Sequence, residues 1–145
     1  MKVGVLASGN GTNLQALLDQ VHGRGGIEIV AVASDKPGAR ALARASDAGV
    51  PSAVFASSDF ADRGARDAAL GAWLADREVE LVVLAGYMQL LSRGFLELFR
   101  GRVINVHPAL LPAFPGLHAV EQALEYGVRV FGEISGFCGT PSCEV

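Results

Sequence analysis

The sequence predicts an α/β fold in which an open, mostly parallel β-sheet carries helices on both faces. Short runs of apolar, β-branched residues alternate along the chain with segments whose apolar residues recur at helical spacing. Strands connected by helices of this length form one parallel sheet. The chain has 145 residues, half of them hydrophobic and 19% charged, which suits one domain with a packed core. This order of elements is typical of a Rossmann-like domain.

The first part of the chain predicts three strands with two helices between them. Residues 3–7 form a continuous apolar run, as in a strand that is buried on both faces. Helix 13–21 has leucines and a valine at helical spacing. A second strand-like run follows at 27–33. Helix 39–48 is rich in alanine and is followed by a glycine, a natural stop, before the weaker strand 51–55.

The second part predicts two strands and three helices. Apolar runs at 81–85 and 103–106 predict the strands, and the serine before helix 93–99 suits an N-cap. Helix 119–126 is followed by a glycine. Helix 62–77 has small and aromatic side chains available to one face, namely Ala65, Ala68, Ala69, Ala72 and Trp73.

Composition and charge exclude several classes of protein. A net charge of −3 argues against a nucleic-acid-binding module. The longest apolar candidate, 81–88, is far shorter than the ~20 residues that span a membrane. The N-terminus lacks the apolar region of a signal peptide, so we expect a cytoplasmic location. The two cysteines, Cys138 and Cys143, are too few for a disulfide scaffold, and without a zinc-binding pattern we expect no metal.

The loop after the first strand, residues 8–13, is rich in glycine and leads into a helix. Glycines admit an anion close to the backbone, and a helix N-terminus offers free N–H groups, so the loop predicts a phosphate site. The alternative is a tight turn in which Thr12 or Asn13 is the N-cap. A dinucleotide fingerprint requires glycine where Leu14 stands. Asp35 lies after the second strand, where a ribose-binding acid is expected, and keeps this second alternative open.

Asn105 and His107 lie at the carboxyl edge of the last predicted strand. Alternate residues of a strand share a face, so both point the same way. An amide that stabilises an oxyanion beside an imidazole that transfers a proton suits acyl transfer. Alternatively, the two side chains only hydrogen-bond the loop that follows.

Four segments together resemble the phosphoribosylglycinamide formyltransferase family of purine biosynthesis, namely 5–15, 84–91, 104–112 and 114–119. They occur in the family's order and spacing. The resemblance implies a formyltransferase-type fold. Residues 1–130 are expected to form the nucleotide-binding and catalytic domain, and 131–145 a divergent tail.

The resemblance implies an enzyme with two substrates. The amine of glycinamide ribonucleotide attacks the formyl group of the cosubstrate 10-formyltetrahydrofolate directly. Gly11, Thr12 and Asn13 are expected to hold the ribonucleotide phosphate. The implied partners are these two small molecules, with no nucleic acid or membrane, and a homodimer is compatible with the family.

The resemblance also implies folate contacts and catalytic residues. Met88, Gln89, Leu90 and Leu91 are expected to line the folate pocket, with Arg63 and Asn105 as further contacts. Asn105 and His107 are the implied catalytic residues, His107 as proton donor and oxyanion partner. Without the resemblance, Met88 and the leucines suit a core, and Arg63 suits a solvated helix surface.

From about Phe131 the sequence departs from the family. Gly136 and Cys143 stand where the family carries a histidine and an essential aspartate. The sequence also ends before the family's C-terminal segment. We therefore expect a truncated chain with an altered tail, in which the C-terminal part of the fold is missing. The alternative to an active enzyme is an impaired homologue that only binds the ribonucleotide or a partner.

Overall fold

A computed structural model of the chain describes residues 1–107, 119–126 and 134–137. The strands are β1 (Lys2–Leu6), β2 (Glu28–Ser34), β3 (Ser52–Val54), β4 (Leu81–Leu84), β5 (Val103–His107) and β6 (Ile134–Phe137). The helices are α1 (Thr12–Gln20), α2 (Arg40–Asp47), α3 (Arg63–Ala75), α4 (Arg93–Leu98) and α5 (Ala119–Tyr126), and a 3₁₀ turn (Ser57–Asp59) precedes α3. Every predicted strand and helix is confirmed with slightly shifted bounds. The sequence did not predict the 3₁₀ turn or β6.

The strands form one sheet in the order β3-β2-β1-β4-β5-β6. Strands β1 to β5 pair in parallel, whereas β6 pairs antiparallel with β5. The mostly parallel, Rossmann-like sheet is therefore confirmed. The chain first builds outward from β1 to β3 and then continues on the other side of β1 with β4. In open α/β sheets, ligands bind in the crevice at such a switch point, beyond the carboxyl ends of the strands.

Helices cover both faces of the sheet. On one face, Val5 shares a buried cluster with Leu14 of α1 and with alanines of α2. On the other face, Leu6 shares a second cluster with Leu74 of α3 and Phe95 of α4. Burying apolar surface on both sides explains why the strands are continuous apolar runs.

Only part of the predicted apolar face of α3 packs against the core. Ala65, Ala68 and Ala72 are exposed, and Ala69 and Trp73 are only partly buried. The buried residues of α3 are Arg66, Asp67, Leu70, Gly71 and Leu74. The physical reason is a buried ion pair, which a search for apolar periodicity does not detect.

Candidate active site

Ser8 joins the two loops that flank the switch point of the sheet. Its backbone N–H donates to the Gly86 carbonyl at 3.0 Å. Its buried Oγ accepts a hydrogen bond from the Met88 N–H at 2.7 Å. The loop after β1 and the loop after β4 are therefore fixed to each other at the carboxyl edge of the sheet.

The N-terminus of α1 follows directly from this loop. Gly11 is its N-cap, with a left-handed φ of 70°. A Cβ at Gly11 would lie 2.8 Å from the Ala41 Cα, so both the backbone and the packing require glycine. Thr12 and Asn13 are exposed, and no side chain caps this helix within the described residues. The interpretation of Thr12 or Asn13 as the N-cap is therefore wrong, and the first-turn N–H groups remain available to an anion.

Helix α2 is hydrogen-bonded to the loop that follows β1. The Ala41 N–H donates to the Gly9 carbonyl at 3.1 Å. Arg44 donates through Nε to the Asn10 carbonyl at 2.9 Å and through Nη1 to Gln15 Oε1 at 2.7 Å. These bonds hold the loop in one shape before any ligand binds.

A groove of about 510 Å³ lies between the start of α3 and the segment after β4. It brings together four of the predicted folate contacts, Arg63, Met88, Gln89 and Leu90. Met88 and Leu90 are 55% and 56% exposed, so they are not core residues. Leu91 does not line the groove, because it packs against the core cluster of α3 and α4.

Arg63 is the first residue of α3 and is exposed in the groove. Asp62 precedes it as the N-cap, where its Oδ1 accepts from the Ala65 N–H at 2.8 Å. Within the described part of the chain, Arg63 has no hydrogen bond or ion pair. Its guanidinium is thus available to an acidic or carbonyl group of a ligand.

Arg66 and Asp67 form a buried ion pair beside the groove, which Arg66 also lines. Their side chains are 3% and 0% exposed, and Arg66 Nη2 lies 2.7 Å from Asp67 Oδ1. Arg66 also donates to the Gln89 Oε1 and to the Leu90 carbonyl, both at 3.0 Å. The sequence prediction missed this pair. Extending the spacing of the buried Leu70 back by one helical turn would have found it.

Asp35 lies buried after β2. Its Oδ2 accepts a hydrogen bond from Gln89 Nε2 at 3.0 Å, whereas its Oδ1 has no partner among the described residues. The carboxylate is therefore engaged with the loop after β4. This geometry disfavours the dinucleotide alternative, which requires Asp35 to reach a ribose.

Tyr87 places a phenol in the same loop. Its hydroxyl is buried and has no partner within the part of the chain that the structure describes. Burial raises the pKa of Tyr87 to about 12. The phenol is therefore neutral across the physiological range and can donate a hydrogen bond.

Strand β5 places Asn105 next along the same edge. Asn105 is half-buried and pairs in register with Leu84 of β4 on one side and with Gly136 of β6 on the other. Positions 105 and 107 share a face of the strand. The structure describes the backbone of His107, which pairs with Ile134. Cys143 lies outside the described residues.

Within residues 1–107, 119–126 and 134–137, no group of three or more His, Cys, Asp or Glu residues has the geometry to hold a metal ion. No helix in those ranges has the length and apolar composition to cross a membrane.

Comparison with known proteins identifies the family of this chain. Residues 1–136 match the family model described as formyl transferase. The chain is 48% identical over 134 residues to the trifunctional purine biosynthetic protein adenosine-3 of Drosophila melanogaster, covering 90% of this chain and 10% of that protein. It is 48% identical over 128 residues to phosphoribosylglycinamide formyltransferase of Mycobacterium tuberculosis, covering 88% of this chain and 59% of that protein.

Solved structures agree with the sequence comparisons. The crystal structure of glycinamide ribonucleotide transformylase 1 from Symbiobacterium toebii superimposes with a TM-score of 0.91 at 47% identity. That match covers 94% of this chain and 65% of the other. The chain thus spans less than two thirds of the length of these relatives. It belongs to the formyl transferase family, in which its relatives are phosphoribosylglycinamide formyltransferases.

Proposed function

We propose that this chain carries a site that transfers a formyl group from 10-formyltetrahydrofolate to the amine of glycinamide ribonucleotide. The observation that carries the proposal is the arrangement at the switch point. A glycine-rich loop at a helix N-terminus is hydrogen-bonded through Ser8 to the segment that lines the groove. The loop and the groove thus belong to joined loops at one edge of the sheet, and we assign the meeting point of their two ligands to the end of β5, the neighbour of β4.

The ribonucleotide phosphate binds at the start of α1. Gly11 admits it close to the backbone, and Thr12 and Asn13 offer exposed side-chain donors. The uncapped first turn of α1 adds N–H groups and the positive end of the helix dipole.

The reduced folate binds in the groove. Met88 and Leu90 provide exposed apolar contacts for a flat ring system, and backbone groups of the same segment read its polar edge. Arg63, which has no ion pair among the described residues, supplies a cation at the other wall of the groove. Leu91 supports this segment from the core side.

Asn105 and His107 act on the reacting atoms. The amine nitrogen attacks the formyl carbon and forms the new C–N bond. The tetrahedral oxyanion accepts hydrogen bonds from the Asn105 amide and from protonated His107. As the bond from the formyl carbon to N10 breaks, N10 takes a proton and the attacking amine loses one, so the proton count balances.

The same proposal assigns the site to a domain of residues 1–130 and allows a homodimer. Enzymatic relatives favour the catalytic interpretation over a homologue that only binds. Because Gly136 and Cys143 stand where the family carries a histidine and an aspartate, catalysis and binding alone are tested separately.

Two measurements test the proposal. Calorimetric titration with glycinamide ribonucleotide and with a reduced nicotinamide dinucleotide separates a formyltransferase from a dinucleotide-binding domain. We expect binding of the ribonucleotide only. Asn13→Ala should weaken it about tenfold, as for one lost hydrogen bond to a charged group. Gln20→Ala, at the other end of α1, is the matched control.

The second measurement is turnover with both substrates, followed by folate absorbance. Turnover that requires both substrates supports the enzyme. Binding of both substrates with no turnover identifies the binding-only homologue instead.

A further inference from the structure

The buried pair of Arg66 and Asp67 has no role in the chemistry described above. Both residues lie on α3 with 3% and 0% of their side chains exposed. Taking two charges out of water costs free energy that their mutual attraction rarely offsets, unless further hydrogen bonds satisfy the remaining groups. The hydrogen-bond partners of the pair therefore indicate its structural role.

Every N–H of the Arg66 guanidinium has a partner. Asp67 Oδ1 accepts from Nε at 2.8 Å and lies 2.7 Å from Nη2. Nη2 also donates to the Leu90 carbonyl, and Nη1 donates to Gln89 Oε1, both at 3.0 Å. The Ser57 Oγ accepts from Nη1 at 3.2 Å. A guanidinium offers five donors, so Arg66 has none left for a ligand.

The same pair fixes the end of the segment after β4. Asp67 Oδ2 accepts from the Ser92 N–H at 2.5 Å. Ser92 is the N-cap of α4, and its Oγ accepts from the Phe95 N–H. Gln89, for its part, donates to Asp35.

Two adjacent residues of α3 thus hold a segment of four residues at three points. The points are the Gln89 side chain, the Leu90 carbonyl and the Ser92 amide. Between them, Leu90 keeps more than half of its side chain exposed in the groove. A planar, multidentate cation suits this task, because it sets several acceptors at fixed relative positions.

We propose that Arg66 is a positioning residue that sets the shape of segment 89–92 for the folate. This inference rests on the proposed function, because it assigns the groove to the folate. Arg66 lines the groove but has no spare N–H group for the ligand, whereas Arg63 has no hydrogen bond or ion pair among the described residues. Loss of the guanidinium fork therefore weakens binding of the folate and leaves binding of the ribonucleotide unchanged.

The test variant is Arg66→Lys. It keeps a positive charge beside the buried Asp67 carboxylate but cannot supply the planar fork. The matched control is Arg77→Lys. Arg77 lies just past the C-terminus of α3, is half-buried and donates to the Trp73 carbonyl at 2.9 Å, and among the described residues it makes no hydrogen bond to segment 89–92.

Hydrogen exchange of the backbone amides is the first readout and does not require any activity. We expect faster exchange at Gln89–Ser92 in Arg66→Lys, unchanged exchange at Thr12–Leu14, and no change at either place in Arg77→Lys. Unchanged exchange at Gln89–Ser92 would overturn the inference, whatever the enzyme does.

Steady-state kinetics is the second readout. We expect the KM for 10-formyltetrahydrofolate to rise about tenfold, as for one lost charge-assisted hydrogen bond, with kcat and the KM for the ribonucleotide within about twofold. An equal rise of both KM values would show a merely structural role and would contradict positioning. If the parent protein turns over neither substrate, the proposed function fails and the exchange result still decides the positioning of the segment.

A second variant covers the case in which Arg66→Lys does not fold. Gln89→Met removes one of the three attachment points and leaves the ion pair intact. We expect faster amide exchange in segment 89–92 and a higher KM for the folate, both smaller than in Arg66→Lys. A folded Gln89→Met protein with parental exchange and parental KM for the folate would overturn the inference.

Discussion

Gly136 lies directly opposite Asn105 in the antiparallel pair of β5 and β6. Residues opposite each other across a strand pair share a face, with Cβ atoms about 4.5–5.5 Å apart. The family resemblance places a histidine at this position of β6. The register therefore brings the site of that histidine next to the predicted oxyanion donor.

This register predicts that Gly136→His increases turnover. A new hydrogen bond of about 1 kcal/mol at the reacting centre corresponds to roughly a fivefold gain in kcat. Ser135→His is the control, because position 135 faces the other side of the sheet. Equal effects of the two variants on kcat would show that the register does not matter.

Removing the proposed catalytic groups should lower turnover without removing binding. We expect Asn105→Ala to cost about 10²–10³ in kcat, as for an oxyanion donor. For His107→Ala we expect about 10²–10⁴, as for a general acid. Steady-state kinetics on a protein with measurable parental activity checks both. A variant that keeps parental kcat excludes its residue from the mechanism.

The two glycines of the first loop should differ in what an added methyl group costs. Gly11→Ala should lower the free energy of unfolding by about 1–3 kcal/mol, because of the left-handed φ and the contact with Ala41. Gly9→Ala should be nearly neutral, since no atom of the described residues lies within 4 Å of its Cβ position. Urea unfolding measures both values, and equal losses would contradict the described packing. A bulky substitution at Gly11 thus disturbs the fold as well as the phosphate site.

The buried Tyr87 predicts a loss of stability at high pH. Its pKa of about 12 in the folded protein lies above the ordinary value of 10.0, so folding favours the neutral phenol. The contribution of the neutral phenol to the free energy of unfolding is on the order of 1 kcal/mol after solvent screening. It is fully present below about pH 10 and is lost as the pH rises to about 12.

Absorbance of the tyrosinate measures this directly. The chain has two tyrosines, so in Tyr126→Phe the signal comes from Tyr87 alone. We expect a midpoint near pH 12 in the folded state. A midpoint at the ordinary value would show that the hydroxyl is accessible to water. Tyr87→Phe should reduce the pH dependence of unfolding between pH 10 and 12.

Local patterns in the sequence predict most of this fold. The run Val3–Ala7 predicts a strand because a doubly buried strand must be apolar throughout. The spacing of Leu14 and Leu18 predicts α1 because one helix face is buried. Polar groups that face inward have no such signature. Arg66 and Asp67 are buried only because partners distant in the chain satisfy them.

The candidate site could be predicted in part for the same reason. Met88 and Leu91 look alike in sequence, yet Met88 is exposed in the groove whereas Leu91 packs on the core. Which of them faces outward depends on the hydrogen bonds that shape the segment. The roles of Asn105 and His107 remain predictions from the resemblance.

We propose that the edge beyond β1, β4 and β5 transfers a formyl group between two bound substrates. The most direct measurement uses 10-formyltetrahydrofolate labelled with carbon-13 in the formyl group and follows the label by NMR. We expect the label to move to the ribonucleotide amine, one for each folate released, and only when both substrates are present. If both substrates bind and the label stays on the folate or is lost to water as formate, this edge does not transfer the formyl group.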